Sequence, residues 1–507
     1  MSPILTLGVF TALTLLGHPV GASTNSSFSL CLITNQKFPG KVTFSDDSEY
    51  QDSQKHYYTA QERQLVPKCV FRPESTQDVA DFVKLAAAHD PCSENCTVSE
   101  PLFAMRSGGH SLWAGAANVQ GGLTVDLRSL DMVALSDDMR VASVGGGSVF
   151  SSVYPQLELY NVTVLGGRVP GVAAGGFLSG GGKSYLARRH GFSCDHIFGY
   201  EVVLASGEVV YASAGENSDL WLALKGGSSN FGIITRYDLE TFPSSMVWGG
   251  FNVLNYTSDV LQAQASAFSN FMLPENYPNG TIDTDVGVIL AYDTGSYFVL
   301  NTIFDSNPVP DSPTLSNFTS INGIESENLA ISSIADLVVA DAAVVPESVN
   351  RTFQLIYTLH NSDAELYYEL MQIWEDGMST IQSINGLRSQ YFLQPAPVTN
   401  GTNVLGLDPE CTDLVLSALT INWDDEADDT VMTEASESMG SKQEDVIRAA
   451  GVSVGFIYLN YADVSQQPIS TYGEDNIAHL WDASRKYDPS GLWQTRVPGI
   501  KLPALDS

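Results

Sequence analysis

Arg106-Ser107-Gly108-Gly109-His110-Ser111 is followed farther along by Gly166-Gly167-Arg168-Val169-Pro170-Gly171-Val172, then by Gly175-Gly176 and Gly180-Gly181-Gly182. Glycine lacks Cβ and reaches positive φ, so such runs mark tight turns or places where a ligand lies directly on main chain. Taken singly, each pair reads as a turn. Recurring in order around one Arg-Ser-Gly-Gly-His-Ser run, they describe a main-chain surface cleared of side chains with one imidazole beside it. Backbone N–H groups in such turns also meet phosphate oxygens.

Working outward, Val70-Phe71-Arg72-Pro73 reads as a short strand stopped by proline, and Ser75 with Asp78 as a capping box. Val79, Phe82, Val83 and Ala86 then recur at helical spacing. Short apolar segments follow at 123–127, 141–144, 162–165, 201–204, 209–212 and 233–235, with few helices between them. That pattern predicts an α+β architecture and argues against a regularly alternating nucleotide-binding sheet. Beyond Pro243 the glycine density falls. Segments 286–292, 297–304 and 414–423 have the length and residue types of strands, and 259–271 and 363–374 those of amphipathic helices. This predicts an antiparallel sheet with helices on one face. Residues 451–502 read as mixed strand-like and helical pieces returning to the first part of the chain. Residues 23–59 read as polar and irregular, anchored by Cys31.

The length of 507 residues predicts two domains. Residues 1–22, with an apolar run from Ile4 to Gly17 and small residues at Gly21-Ala22, read as a secretory signal peptide too short to span a bilayer. Sequons at Asn25, Asn95, Asn161, Asn255, Asn279, Asn317, Asn350 and Asn400 fit export and glycosylation. Six cysteines in an oxidising compartment permit disulfides, and Cys31 with Cys92 is the preferred pair. No cysteine or histidine spacing points to a metal. With 24 basic against 58 acidic residues and a net charge of −34, nucleic-acid and anionic-membrane partners are disfavoured. Gly180-Gly181-Gly182-Lys183-Ser184 superficially matches a phosphate loop, but no glycine stands at the required distance before Gly182-Lys183. Asp424 and Asp425 read as solvated turn residues.

The cleared surface suits a flavin, whose pyrophosphate needs N–H donors and whose rings need bare backbone. An imidazole nitrogen can attack the electron-poor methyl carbon of an oxidised flavin, which gives His110 a role. The runs quoted above, with Gly121-Gly122-Leu123-Thr124-Val125-Asp126-Leu127, resemble the FAD-binding domain of the vanillyl-alcohol-oxidase flavoproteins and more closely the berberine-bridge-enzyme-like branch. Gly191-Phe192-Ser193-Cys194-Asp195-His196-Ile197, Lys225-Gly226-Gly227, Asn230-Phe231-Gly232-Ile233-Ile234-Thr235, Tyr458-Leu459-Asn460-Tyr461 and Lys486-Tyr487-Asp488-Pro489 continue the likeness in order. Residues 244–450 match only weakly.

The chain is therefore expected to divide into a signal peptide (1–22), an N-terminal segment (23–65), a domain (66–243) that the resemblance makes FAD-binding and of two α+β subdomains, a substrate domain (244–450) and a returning C-terminal segment (451–507). The resemblance implies FAD contacts from Arg106, Ser107, Gly108, Gly109, His110, Ser111, Gly167, Val172, Gly175, Gly176, Gly181, Gly182, Asp195, Ile197, Gly232, Ile233 and Asn460. His110 would carry a covalent bond to FAD. Val169 replaces the cysteine that forms a second bond in many relatives, so a single link is expected. Val172 stands where the family controls dioxygen access and is similar to oxidase members. Tyr458 would be the base taking a proton as hydride leaves, its phenolate favoured by a nearby cation or donor, with Tyr461 packed behind Asn460. The expected activity is a secreted, monomeric FAD-dependent oxidase of a small alcohol, carbohydrate or secondary metabolite that reduces dioxygen to hydrogen peroxide. An oxidative cyclase on the same scaffold and a non-catalytic flavin-binding glycoprotein are the alternatives.

Overall fold

The computed structural model describes residues 26–89, 101–277, 282–310, 312–341 and 348–505. The expected signal segment, Cys92, Cys96, Asn25, Asn95 and Asn279 lie outside them. The architecture is α+β, built on three larger sheets.

The first sheet orders its strands Val42–Thr43, Cys69–Phe71, Leu123–Asp126 and Phe103–Arg106, the last three parallel. Helix Thr76–Ala88 covers it. Ser75 caps that helix by accepting the Asp78 N–H at 3.2 Å, and Val79, Phe82, Val83 and Ala86 are buried against the strands. The second sheet is antiparallel, in the order Val133–Leu135, Val141–Gly145, Ile233–Glu240, Ile197–Val203 and Val209–Ser213.

The third sheet is seven-stranded and antiparallel, in the order Ile324–Ser332, Val247–Asn255, Ser296–Asp305, Thr284–Asp293, Arg388–Pro395, Leu414–Trp423 and Arg351–His360. Helices Ser258–Phe271, Ala364–Ser379 and Asp429–Ala449 bury one of its faces. Because side chains alternate along a strand, Val286, Val288 and Leu290 enter that core while Asp285, Gly287 and Ile289 line a cavity over the other face. Tyr391 and Leu393 alternate in the same way with Gln390, Phe392 and Gln394.

Three expectations need correction. Residues 23–59 are not irregular, because helices Ser26–Lys37 and Ser48–Lys55 form there. The apolar contribution of the first is narrow, with Leu30 and Cys31 buried beside Thr34, whose hydroxyl is satisfied by the Leu30 carbonyl at 2.7 Å. Packing on the first sheet, not periodicity, makes it a helix. Cys31 pairs with Cys69 instead of Cys92, since Cys69 opens a strand directly beneath that helix. In 451–502 the described residues hold helices Glu474–Tyr487 and Leu492–Thr495 and short turns but no strand, only an isolated bridge between Leu359 and Ser453. Leu492 and Trp493 pack into the core of the first sheet.

Glu62, fully buried in the turn Ala60–Arg63, fastens the loop after His110 by accepting the Gly115 N–H at 3.1 Å and the Ala117 N–H at 2.6 Å. Burial pushes its carboxyl up to about 7, against the pull of those backbone donors.

Two outcomes follow. Replacing the linked pair with Cys31→Ser/Cys69→Ser opens a loop of sequence separation 38 and is expected to cost about 2–4 kcal/mol in denaturant titrations. For Glu62 the folded chain holds a proton that the unfolded chain releases near 4.5. Stability is therefore complete below that pH and falls as pH rises to about 7. Relative to Glu62→Gln, the wild type is expected to lose about 3 kcal/mol across this window, read from denaturation midpoints at successive pH values.

Candidate active site

A cavity of about 400 Å³ opens where the first two sheets meet the C-terminal segment. Ser107, Gly108, Gly109, His110, Ser111, Val172, Gly175, Gly176, Gly232, Ile233, Tyr458 and Asn460 all line it. The join is made by Ser107, whose hydroxyl donates to the Gly146 carbonyl at 2.6 Å and accepts the Gly175 N–H at 3.2 Å. Gly109 turns the chain at φ +72, and a Cβ there would stand 2.9 Å from Tyr57 and from Arg106. At Gly176 a Cβ would meet nothing within 4 Å, so this stretch of wall is bare main chain facing open space.

His110 stacks on Tyr58, ring centroids 4.0 Å apart and planes 19° from parallel. The Tyr58 N–H donates to the Gly109 carbonyl at 2.9 Å, which holds the stack in register. Burial lowers the imidazole to about 4, so it is neutral at ordinary pH. A neutral imidazole keeps a nitrogen lone pair available for attack.

From the C-terminal segment, Asn460 donates its amide to the Phe177 carbonyl at 2.9 Å and to Tyr458 Oη at 3.1 Å. Tyr461 Oη accepts from Arg168 at 2.9 Å, and its carbonyl accepts from Gln354 at 2.8 Å. The expected Tyr458 phenolate is not what these surroundings favour. Burial, then the neighbouring Tyr461, pushes the phenol well above its ordinary range, and the Asn460 donor and distant Arg168 offset this only in part. Tyr458 is a neutral hydroxyl whose lone pair is engaged by Asn460, leaving its hydrogen for another acceptor.

Six other expected contacts do not line the cavity. Arg106 is a pillar behind it, donating to the backbone carbonyls of Ser53 and His56 and lying 4.0 Å over the Tyr57 ring. Asp126 beside it is buried, yet the Arg128 fork together with Arg106 and Arg72 holds its carboxyl well below the usual range. Gly167 receives the Tyr154 hydroxyl, and Gly182 receives the Ser193 N–H. Gly181 packs beneath the Tyr458 ring. Asp195 points away to Thr399, Asn400 and Asn403, and Ile197 is a core residue starting a strand. A motif can place a residue near a site without aiming its side chain at it.

The cavity is also lined by residues that sequence reasoning did not select: Tyr58, Trp113, Phe177, Gln354 and Lys183. Phe177 and Lys183 sat within the glycine runs, where they could have been found. Tyr58 and Gln354 carry no local signal. Asp424 is exposed and receives the Asn350 amide at 2.6 Å, as a solvated turn residue would. Among the described residues no group of His, Cys, Asp or Glu is placed to hold a metal.

Comparison with known proteins gives the site its context. Residues 67–213 match the FAD binding domain family. The FAD-dependent monooxygenase tpcD of Cochliobolus heterostrophus is 32% identical over 464 residues, covering 87% of this chain and 86% of the relative. The FAD-dependent monooxygenase sdcF of Emericella nidulans is 32% identical, covering 92% and 97%. In fold the chain is similar to 6-hydroxy-D-nicotine oxidase from Arthrobacter nicotinovorans, with a TM-score of 0.72, 19% identity and coverage of 90% and 97%. It is similar too to xylooligosaccharide oxidase from Myceliophthora thermophila, with a TM-score of 0.71, 19% identity and coverage of 94% and 100%. Relatedness along nearly the whole chain leads to one assignment: this protein belongs to the same family of FAD-dependent oxidoreductases as these two monooxygenases, on the fold that berberine bridge enzyme also has.

Proposed function

We propose that this oxidoreductase carries FAD on a single covalent bond from His110, takes hydride from a small organic substrate and passes the electrons to dioxygen, releasing hydrogen peroxide. The observation that carries the reading is the neutral His110 imidazole, stacked on Tyr58 beside the bare Gly175–Gly176 wall. The residues present fit the cofactor: space stands open where a Cβ on Gly176 would project, and a nucleophilic nitrogen faces the same cavity. Valine at 169 supplies no second nucleophile.

When bound, FAD supplies the hydride acceptor. The chain supplies placement. Ser107, Gly175 and Gly176 offer polar main chain along one wall, and Ile233 with Val172 offers apolar surface. Tyr458 presents a hydroxyl hydrogen to the substrate, its orientation fixed by Asn460. Val172 stands at the wall where dioxygen would approach.

The relatives' names favour a second reading, in which one atom of dioxygen enters the product. Labelled dioxygen separates the two, since an oxidase leaves the label in peroxide and a monooxygenase places it in product. We place the working protein outside the cell as a glycosylated monomer. In support, Asn161, Asn255, Asn317, Asn350 and Asn400 are all exposed. A shift on endoglycosidase treatment and a mature N-terminus at Ser23 are the expected results.

Acid precipitation tests the covalent link directly. Yellow colour is expected to stay with the wild-type polypeptide, while His110→Ala releases it to the supernatant. Colour retained by the variant would assign the bond to another residue. Bound flavin with no turnover across a broad substrate panel would leave a flavin-binding glycoprotein.

A further inference from the structure

A second cavity, of about 170 Å³, lies over the face of the seven-stranded sheet opposite its three long helices. Val169 and Tyr461 line both cavities, so the two adjoin. Lys183 lines the first and Asp285 the second. Lys183 Nζ donates to Asp285 Oδ2 at 2.5 Å, and their side chains are 1% and 6% exposed. The ion pair therefore spans the partition between the cofactor cavity and the sheet cavity.

Stability alone does not call for this pair. Desolvating two charges costs as much as their attraction returns, and an aliphatic residue following the glycine turn would pack without that cost. An ammonium has three N–H donors, and Asp285 takes one of them. Among the described residues no other acceptor is bonded to Lys183. Its remaining donors are held where the two cavities adjoin.

We propose that Lys183 selects the substrate: its remaining N–H groups, steadied by Asp285, bind a lone-pair oxygen of the molecule to be oxidised. The inference rests on the hydride-transfer reading above and narrows its substrates to alcohols and hydroxy-carbonyl compounds, with amines excluded. A protonated amine offers only donors and meets a like charge. An oxygen function offers the acceptor that the ammonium lacks.

Asp285 faces Lys183 from strand Thr284–Asp293, Arg168 from the Gly166–Gly171 turn and Arg188 from the turn Ala187–His190. Tyr461 lines the same junction. Burial lowers Lys183 to about 8, with Asp285 opposing and the two arginines reinforcing the shift. The ammonium is therefore charged below that pH and lost above it, and oxygen binding follows the charged form.

Benzoate, which only accepts hydrogen bonds, serves as the probe in calorimetric titrations of the flavin-loaded protein. Wild type is expected to bind it, and Lys183→Met to weaken binding about tenfold or more. The double variant Lys183→Met/Asp285→Asn removes both charges without leaving either buried alone, and is expected to bind as weakly. Wild-type affinity should fall as pH rises through about 8. Lys183→Arg should keep the affinity and move that fall to higher pH. Anaerobic flavin bleaching should be faster with benzyl alcohol than with benzylamine, and the preference should be lost in the double variant. Absence of benzoate binding to wild type, unchanged affinity in a variant with native flavin absorbance and melting temperature, or faster bleaching by benzylamine would overturn the proposal. Colourless protein would instead sink the flavin reading, and the benzoate titration still decides the role of Lys183.

Discussion

One serine hydroxyl holds the cradle together. Ser107 follows a strand of the first sheet, Gly146 follows a strand of the second, and Gly175 lies in the first turn of the short helix Ala174–Ser179. The Ser107 oxygen bonds to the other two at once. Tyr237 adds a bond to the Gly175 carbonyl at 3.2 Å from within the second sheet. The bare wall exists because main chain from two sheets is brought edge to edge, and side chains at these positions would keep them apart. Behind it, Arg106 ties the same loop to Ser53 and His56, and the Asp126 cluster neutralises the buried charge. The placement of His110 thus depends on the polar contacts of Ser107 at the cavity wall and on those of Arg106 and Asp126 behind it.

The two cavities differ in how they are built. The first is built from glycine turns and aromatic rings of the outer parts of the chain, and the second from alternate residues of the seven-stranded sheet. Tyr461 and the Lys183–Asp285 pair join them. Asn460 fastens the C-terminal side of the first cavity, bonding Tyr458 and the Phe177 carbonyl together.

Parts of this were written locally in the sequence. Ser75 and Asp78 bound a helix start because a cap is satisfied by residues three apart, and Leu414–Trp423 begins and ends where its apolar run does. The glycine runs gave away the wall because missing side chains are themselves the structural feature. Other elements depend on what lies across space. Helix Ser26–Lys37 exists because the first sheet and Cys69 receive Leu30 and Cys31. Tyr58 reaches His110 only through the fold. Asp195 and Arg106 sit inside recognisable motifs, yet their side chains turn toward neighbouring loops, a direction that spacing does not encode. Tyr458 was visible as a motif residue, whereas its charge state depends on burial contributed by distant segments.

The alternation along the seven-stranded sheet has an evolutionary corollary. Helix-packed positions such as Val288 and Tyr391 are constrained by the fold, whereas Gly287, Ile289, Gln390 and Phe392 border a cavity and carry little of the core. Lineages can therefore accumulate changes at every second residue and acquire new chemistry while inheriting an unaltered framework. Divergence should be concentrated in one parity of each strand, so that the framework is kept while the cavity wall changes.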